Sequence, residues 1–97
     1  YSYRKVFDLV LLKKLRTRFA KQEFDKGNYK QAIKIFNKIK IKKDNQWIYA
    51  DRAIAKMNIN DYKGAIKDFD KIIKLDSNDF YIHKRKECLD MLNKSKI

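Results

Sequence analysis

His83 and Cys88 are the side chains most able to do chemistry in this chain, and they are its single histidine and single cysteine. One imidazole and one thiol cannot build a metal site of ordinary ligand spacing, which draws three or four His, Cys or carboxylate groups to one point. The two lie five residues apart, off the three-or-four spacing that aligns side chains on a helix face. Asp68, Asp70, Asp76 and Asp79 are the densest carboxylates, and no base or nucleophile stands at a spacing that would make them an acid–base pair. The two glycines, Gly27 and Gly64, stand in separate parts of the chain, so no glycine-rich phosphate loop exists. These residue types predict a protein that is not an enzyme and carries no cofactor or metal.

Binding chemistry is better supplied. The 97 residues hold 25 Lys and Arg against 12 Asp and Glu, a net charge of +13. The excess is uneven: residues 1–48 carry 14 basic against 4 acidic residues, residues 49–97 carry 11 against 8. A field of that sign favours acidic partners, whether a peptide, a nucleic acid or an anionic membrane. Twenty of the basic residues are Lys and only five Arg. Sequence-specific nucleic-acid recognition leans on the planar Arg fork, so this composition counts against it. Electrostatic docking through the Lys-rich first half, above all Lys38, Lys40, Lys42 and Lys43, stays open as an alternative.

The elements that must position these residues follow from a repeat. Residues 28–42, NYKQAIKIFNKIKIK, return as residues 61–75, DYKGAIKDFDKIIKL. Tyr29 matches Tyr62, Ala32 matches Ala65 and Phe36 matches Phe69, every pair at the same offset. A fixed period of roughly 33 residues predicts stacked structural repeats. Within each copy Ala-x3-Phe places a small residue one helical turn before a ring, so that a neighbouring helix can approach closely. Gly27-Asn28 and Asn60-Asp61 mark tight turns whose polar residue can cap the next helix.

The pattern predicts an all-α domain of antiparallel helix hairpins. A first helix, or two joined, covers residues 3–26, with Tyr3, Phe7, Val10 and Leu11 on one side and Leu15, Phe19, Ala20 and Phe24 continuing the apolar face. Helices over 29–42, 46–58, 62–75 and 80–93 follow, with Asp44-Asn45 as connection and cap. The resulting division is an extension at 1–12, a first repeat at 13–45, a second at 46–79 and a capping helix with tail at 80–97. The apolar run from Val6 through Leu9, Val10, Leu11 and Leu12 is expected in the core or in self-association. No run reaches the roughly 18 residues of a membrane span. The chain opens on Tyr1, which reads as a piece of a longer protein, and a lone cysteine suits a reducing, cytoplasmic setting.

These residues resemble the tetratricopeptide repeat, whose signature is W-x2-L-G-x2-Y, then A-x3-F, then P. The second unit gives Tyr49-x2-Arg52-Ala53-x2-Lys56, then Ala65-x3-Phe69, with Ser77 at the Pro position. The first gives Arg16-x2-Phe19-Ala20-x2-Glu23, then Ala32-x3-Phe36. The resemblance spans residues 13–93 and implies a short right-handed superhelix serving as a scaffold or adaptor. The first helix of each repeat would line a groove holding a partner's peptide, helix or subunit. By that likeness the groove comprises Lys14, Thr17, Arg18 and Lys21, then Trp47, Ala50, Asp51, Ile54 and Asn58, then Tyr81, Lys84, Arg85 and Cys88. Trp47 and Tyr81 would anchor the partner, and Lys14, Arg18, Lys21 and Arg85 would read its acidic groups. One branch of the family clamps the C-terminal carboxylate of heat-shock chaperones. Lys14-x3-Arg18 and Arg85-Lys86 resemble that clamp, while Asp51 stands where the clamp has Asn.

Overall fold

The computed structural model describes the backbone of residues 2–94 and the side chains of residues 8–94. Tyr3, Val6 and Phe7, expected on an apolar face, and the tail at 95–97 lie outside the described side chains. Among the described residues the chain is all-α, with no strand. The helices are α1 (Ser2–Asp25), α2 (Tyr29–Phe36), α3 (Trp47–Asn58), α4 (Tyr62–Leu75) and α5 (Asp79–Lys94), with a 3-10 turn at Lys43–Asn45. They divide into two compact units, Tyr1–Lys40 and Ile41–Ile97.

In the first unit α1 and α2 form a hairpin. α1 ends where Gly27 takes φ +84°, a left-handed conformation that costs a residue with a Cβ. The Asn28 N–H then donates to the Glu23 carbonyl and the Gly27 N–H to the Phe24 carbonyl, closing two of the free C-terminal carbonyls. Ala32 and Phe36 are fully buried, as the Ala-x3-Phe spacing predicts, and so is Ala20 of α1. Leu15 and Phe19, expected beside Ala20, are exposed instead, and so are Leu9, Val10, Leu11 and Leu12. Leu11, Leu15 and Phe19 lie on a side of α1 turned away from Ala20, and for Leu9 and Leu12 the reason is length. At 1.5 Å per residue α1 runs about 36 Å, whereas α2 runs about 12 Å and covers only part of it.

The early end of α2 departs from the expected helix over 29–42. After Phe36 the chain tightens: the Lys38 N–H reaches the Ile35 carbonyl and the Ile39 N–H the Phe36 carbonyl, three-residue spacings that stop the α-helical ladder. Residues 40–42 then run without regular structure up to the 3-10 turn, Lys42 being extended. There Asn45, nearly buried, accepts the Lys42 N–H through its side chain at 2.6 Å. Asn45 therefore ties the connector together; α3, expected to take its cap from Asp44-Asn45, starts with no side-chain cap.

The second unit is a three-helix arrangement in which α4 packs against both α3 and α5. Its core is Ala50, Ala53, Ala65, Phe69, Ile72 and Cys88, flanked by half-buried Tyr49, Ile54, Met57, Tyr62, Ile66, Ile73 and Tyr81. α3 ends on the same turn as α1, one repeat further on. Asn60 takes φ +64°, the Asp61 N–H donates to Lys56 and the Asn60 N–H to Met57. The caps that follow differ. Asp61 accepts the Gly64 N–H at 3.1 Å and so caps α4. Asn28 instead turns its amide to Glu23 at 2.6 Å and makes no side-chain cap on α2. A Cβ on Gly64 would sit 2.9 Å from Asp61 Cγ, so this cap requires the glycine that replaces Gln31 of the first copy.

Candidate functional site

In the first unit the structure keeps Lys14, Arg18 and Lys21 exposed on one side of α1. Thr17, between them, is half-buried and donates its hydroxyl to the Lys13 carbonyl at 2.8 Å. The spacing of three and four residues presents these cations together, as the sequence predicts.

In the second unit Trp47, Asp51 and Ile54 are half-buried and Asn58 is exposed along one side of α3. Asn58 donates its amide to the Ile54 carbonyl at 2.8 Å, fastening the last turn. Ala50, expected in the groove, is core.

α5 corrects the sequence reading. Tyr81, Lys84, Arg85 and Cys88 do share one face, but its Tyr81 and Cys88 close the core while Lys84 and Arg85 stand half-buried at its edge. Cys88 is fully buried and Tyr81 packs against the core cluster. Arg85 spans to Asp70 of α4 as an ion pair, so its guanidinium is engaged within the chain. Lys84 lies over the Phe80 ring and within 3.4 Å of Glu87. Ala20 of α1, Ala53 of α3 and Cys88 of α5 are each fully buried small residues. The interval from Ala53 to Cys88 is two positions longer than that from Ala20 to Ala53, because Cys88 lies nine residues past the start of α5 and Ala53 six past the start of α3. The expected groove rests on an interval one position too short, and one residue turns a helix face by about 100°. Carrying Trp47, Asp51, Ile54 and Asn58 forward by the full Ala53-to-Cys88 interval gives Ile82, Lys86, Leu89 and Asn93. The structure exposes all four. Ile82 and Leu89 are 45% and 36% exposed, so the outer side of α5 is not the uniformly polar cap expected of a terminal helix. The available signal was the small apolar residue on α5, matched to Ala20 and Ala53.

A buried ionic cluster escaped the sequence reading altogether. Asp68 of α4 is 2% exposed and accepts two hydrogen bonds from Arg52, at 2.8 Å each. Lys56 adds a third contact at 3.0 Å. Burial alone would push the Asp68 carboxyl up, but the hydrogen bonds from Arg52 and Lys56, with their charges, hold it below its ordinary value. Tyr49 lies beneath both Arg52 and Lys71, with its ring centre 5.8 and 5.2 Å from the two cations. This cluster holds α3 to α4 and opens no site. Arg52-x3-Lys56 facing an acid on the next helix was legible as a pattern, but only α4's register shows that Asp68 points inward.

Burial raises the Cys88 thiol, and the neighbouring Glu87 charge adds to it. His83 lies 3.1 Å from Glu87 on the exposed side of α5. Among the described residues no cluster of three His, Cys, Asp or Glu groups could hold a metal ion, and no helix is long and apolar enough to cross a membrane.

Comparison with family models, with curated proteins and with solved structures returned no match to this chain.

Proposed function

We propose that this chain is a non-catalytic protein-interaction module built from hairpins of the tetratricopeptide type. Its outward helix faces would hold a peptide, helix or subunit of another protein in a reducing, cytoplasmic setting. The observation that carries this reading is the outer side of α5, where exposed Ile82 and Leu89 flank Lys86 on a helix fixed from behind by Cys88 and the Arg85–Asp70 pair. A rigid face with apolar anchors beside a cation suits partner recognition, since anchors bind best when they need no ordering. On α3, Trp47 and Asp51 offer an aromatic and an acid; on α1, Lys14, Arg18 and Lys21 offer cations. The recurrence of one turn geometry and one Ala/Phe pair at a fixed offset supports the repeat assignment.

A clamp for chaperone C-termini is less well supported. Arg85 is engaged by Asp70, and the position of the clamp Asn is Asp51, whose charge opposes a bound carboxylate.

The test is affinity capture at two salt concentrations, followed by titration of the purified partner against wild type and two double variants, Lys86→Glu/Leu89→Ser and Lys14→Glu/Arg18→Glu. A protein partner that survives moderate salt and binds at least tenfold more weakly to a variant supports the module. Recovery of RNA or anionic lipid alone, lost at higher salt, refutes it in favour of electrostatic docking.

A further inference from the structure

The first unit contains a pocket that the expected groove does not include. It is a cleft of about 160 Å³ lined by Leu9, Leu12, Lys13 and Arg16 of α1 and by Lys38, Ile39 and Lys40 of the segment after α2. It exists because α2 stops at Phe36: the side of α1 that meets α2 lower down continues upward past the end of α2. Leu9, Leu12, Lys13 and Arg16 stand at spacings of three, four and seven residues, one face of a helix. That face lies roughly 150° around α1 from Lys14, Arg18 and Lys21, at 100° per residue.

The lining pairs an apolar floor with a basic rim. Leu9, Leu12 and Ile39 form the floor, four cations stand around it, and none of the seven lining residues is acidic. A cavity of about 150 Å³ lined by aliphatic side chains admits one benzene-sized group. The cleft therefore has room for one Leu or Phe side chain. We infer that it receives an apolar anchor residue of an acidic amphipathic helix from a partner protein, with carboxylates one turn away pairing with Lys13, Arg16 and Lys38. This rests on the interaction-module reading and adds to it a second surface and a chemistry of partner.

Charge decides among the occupants. Residues 1–40 carry twelve Lys and Arg against three Asp and Glu, a net +9, so a second copy would bring like charge to like. A membrane surface calls for a helix that gathers its apolar residues on one side and its cations on the other. α1 does not: Lys13 and Arg16 sit on the same face as Leu9 and Leu12, and Leu11, Leu15 and Phe19 lie elsewhere. A shaped acidic partner fits both the concavity and the rim.

The experiment titrates the whole chain with a capped helical peptide of about four turns, bearing Leu at every third or fourth position, one central Phe, and Glu or Gln elsewhere. Two control peptides replace Glu by Lys, or Leu and Phe by Gln. Binding is read by calorimetry and by amide chemical shifts. The expected result is binding of the acidic amphipathic peptide alone, with shifts centred on residues 9–16 and 38–40. Affinity should fall at least tenfold in both Lys13→Glu/Arg16→Glu and Leu12→Ser, whose replaced side chains face the cleft rather than the core. Shifts confined to α3 and α5 overturn the inference and leave the module standing. Affinity unchanged in both variants also overturns it. No response to any of the peptides, with binding to anionic vesicles or RNA instead, removes the inference and the module together.

Discussion

Replacing Asp68 by Asn tests whether α4 is held by charge or by packing alone. Asp68 is 2% exposed and takes two hydrogen bonds from Arg52 and a contact from Lys56. Removing one member of a buried ionic cluster costs about 3–5 kcal/mol when the remaining charge is stranded. Here the stranded cations are 13% and 17% exposed, so they regain part of their hydration. The expected loss is therefore about 2–3 kcal/mol, below that of a fully buried pair. For a domain of this size that lowers Tm on the order of 10–20 °C. Thermal and urea unfolding followed by circular dichroism in the helical band measure it directly. Replacing the cluster together, as Arg52→Met/Lys56→Leu/Asp68→Leu, should return stability to within about 1 kcal/mol of wild type, because no charge is left unpaired. Acid gives an independent check. The folded Asp68 carboxyl sits below the ordinary 3.8, so its stabilisation is complete above that pH and is lost as pH falls through the folded value. Wild type should lose stability below that pH more steeply than Asp68→Asn. A variant within about 0.5 kcal/mol of wild type, the range of ordinary surface changes, with an unchanged acid profile would refute the argument.

Three further outcomes follow from local geometry. Gly64→Ala should be neutral or destabilising in wild type, because the added Cβ displaces the Asp61 cap. In an Asp61→Ala background the same change should stabilise by up to about 1 kcal/mol, the ordinary helix preference of Ala over Gly, and a double-mutant cycle by urea unfolding separates the two cases. Asn60→Gly should raise stability by a few tenths of a kcal/mol and Asn60→Val lower it by about 1–2 kcal/mol, since φ +64° suits a residue without a Cβ. Cys88 should react with a thiol reagent at neutral pH only as fast as the second unit opens, because the thiol is fully buried and its ionisation is disfavoured. Labelling at the rate of a free thiol, without denaturant, would contradict that burial.

What the sequence made legible were features that repeat. Ala32 and Phe36 match Ala65 and Phe69, and all four are fully buried. Gly27 and Asn60 stand one repeat apart and take the same left-handed turn with the same pair of backbone bonds. What it hid were the departures from the repeat. Lys40-Ile41-Lys42 copies Ile73-Lys74-Leu75 in register, yet α4 reaches Leu75 while α2 stops at Phe36. Nothing in local propensity separates the two strongly enough to predict where the ladder breaks. The Arg52–Lys56–Asp68 cluster has Phe19, Glu23 and Ile35 at the matching places of the first copy, so periodicity could not reveal it. The register of α5 was lost because its buried small residue, Cys88, stands two positions later than the period places it.

These departures, more than the repeat, decide which surfaces are available for binding. The stretched interval turns Tyr81 and Cys88 inward, sets Arg85 beside Asp70, and leaves Ile82, Lys86 and Leu89 facing out. The two-turn α2 leaves the upper part of α1 uncovered by α2 and forms the cleft around Leu9, Leu12 and Ile39. A strict copy of the second hairpin would have carried α2 on to Lys42, and its last turns would occupy the place of the non-helical Lys38-Ile39-Lys40 segment. The same shortening thus explains both why Leu9 and Leu12 are exposed and why cations ring the space beside them. In each case a small departure from the period moved a whole face between core and surface.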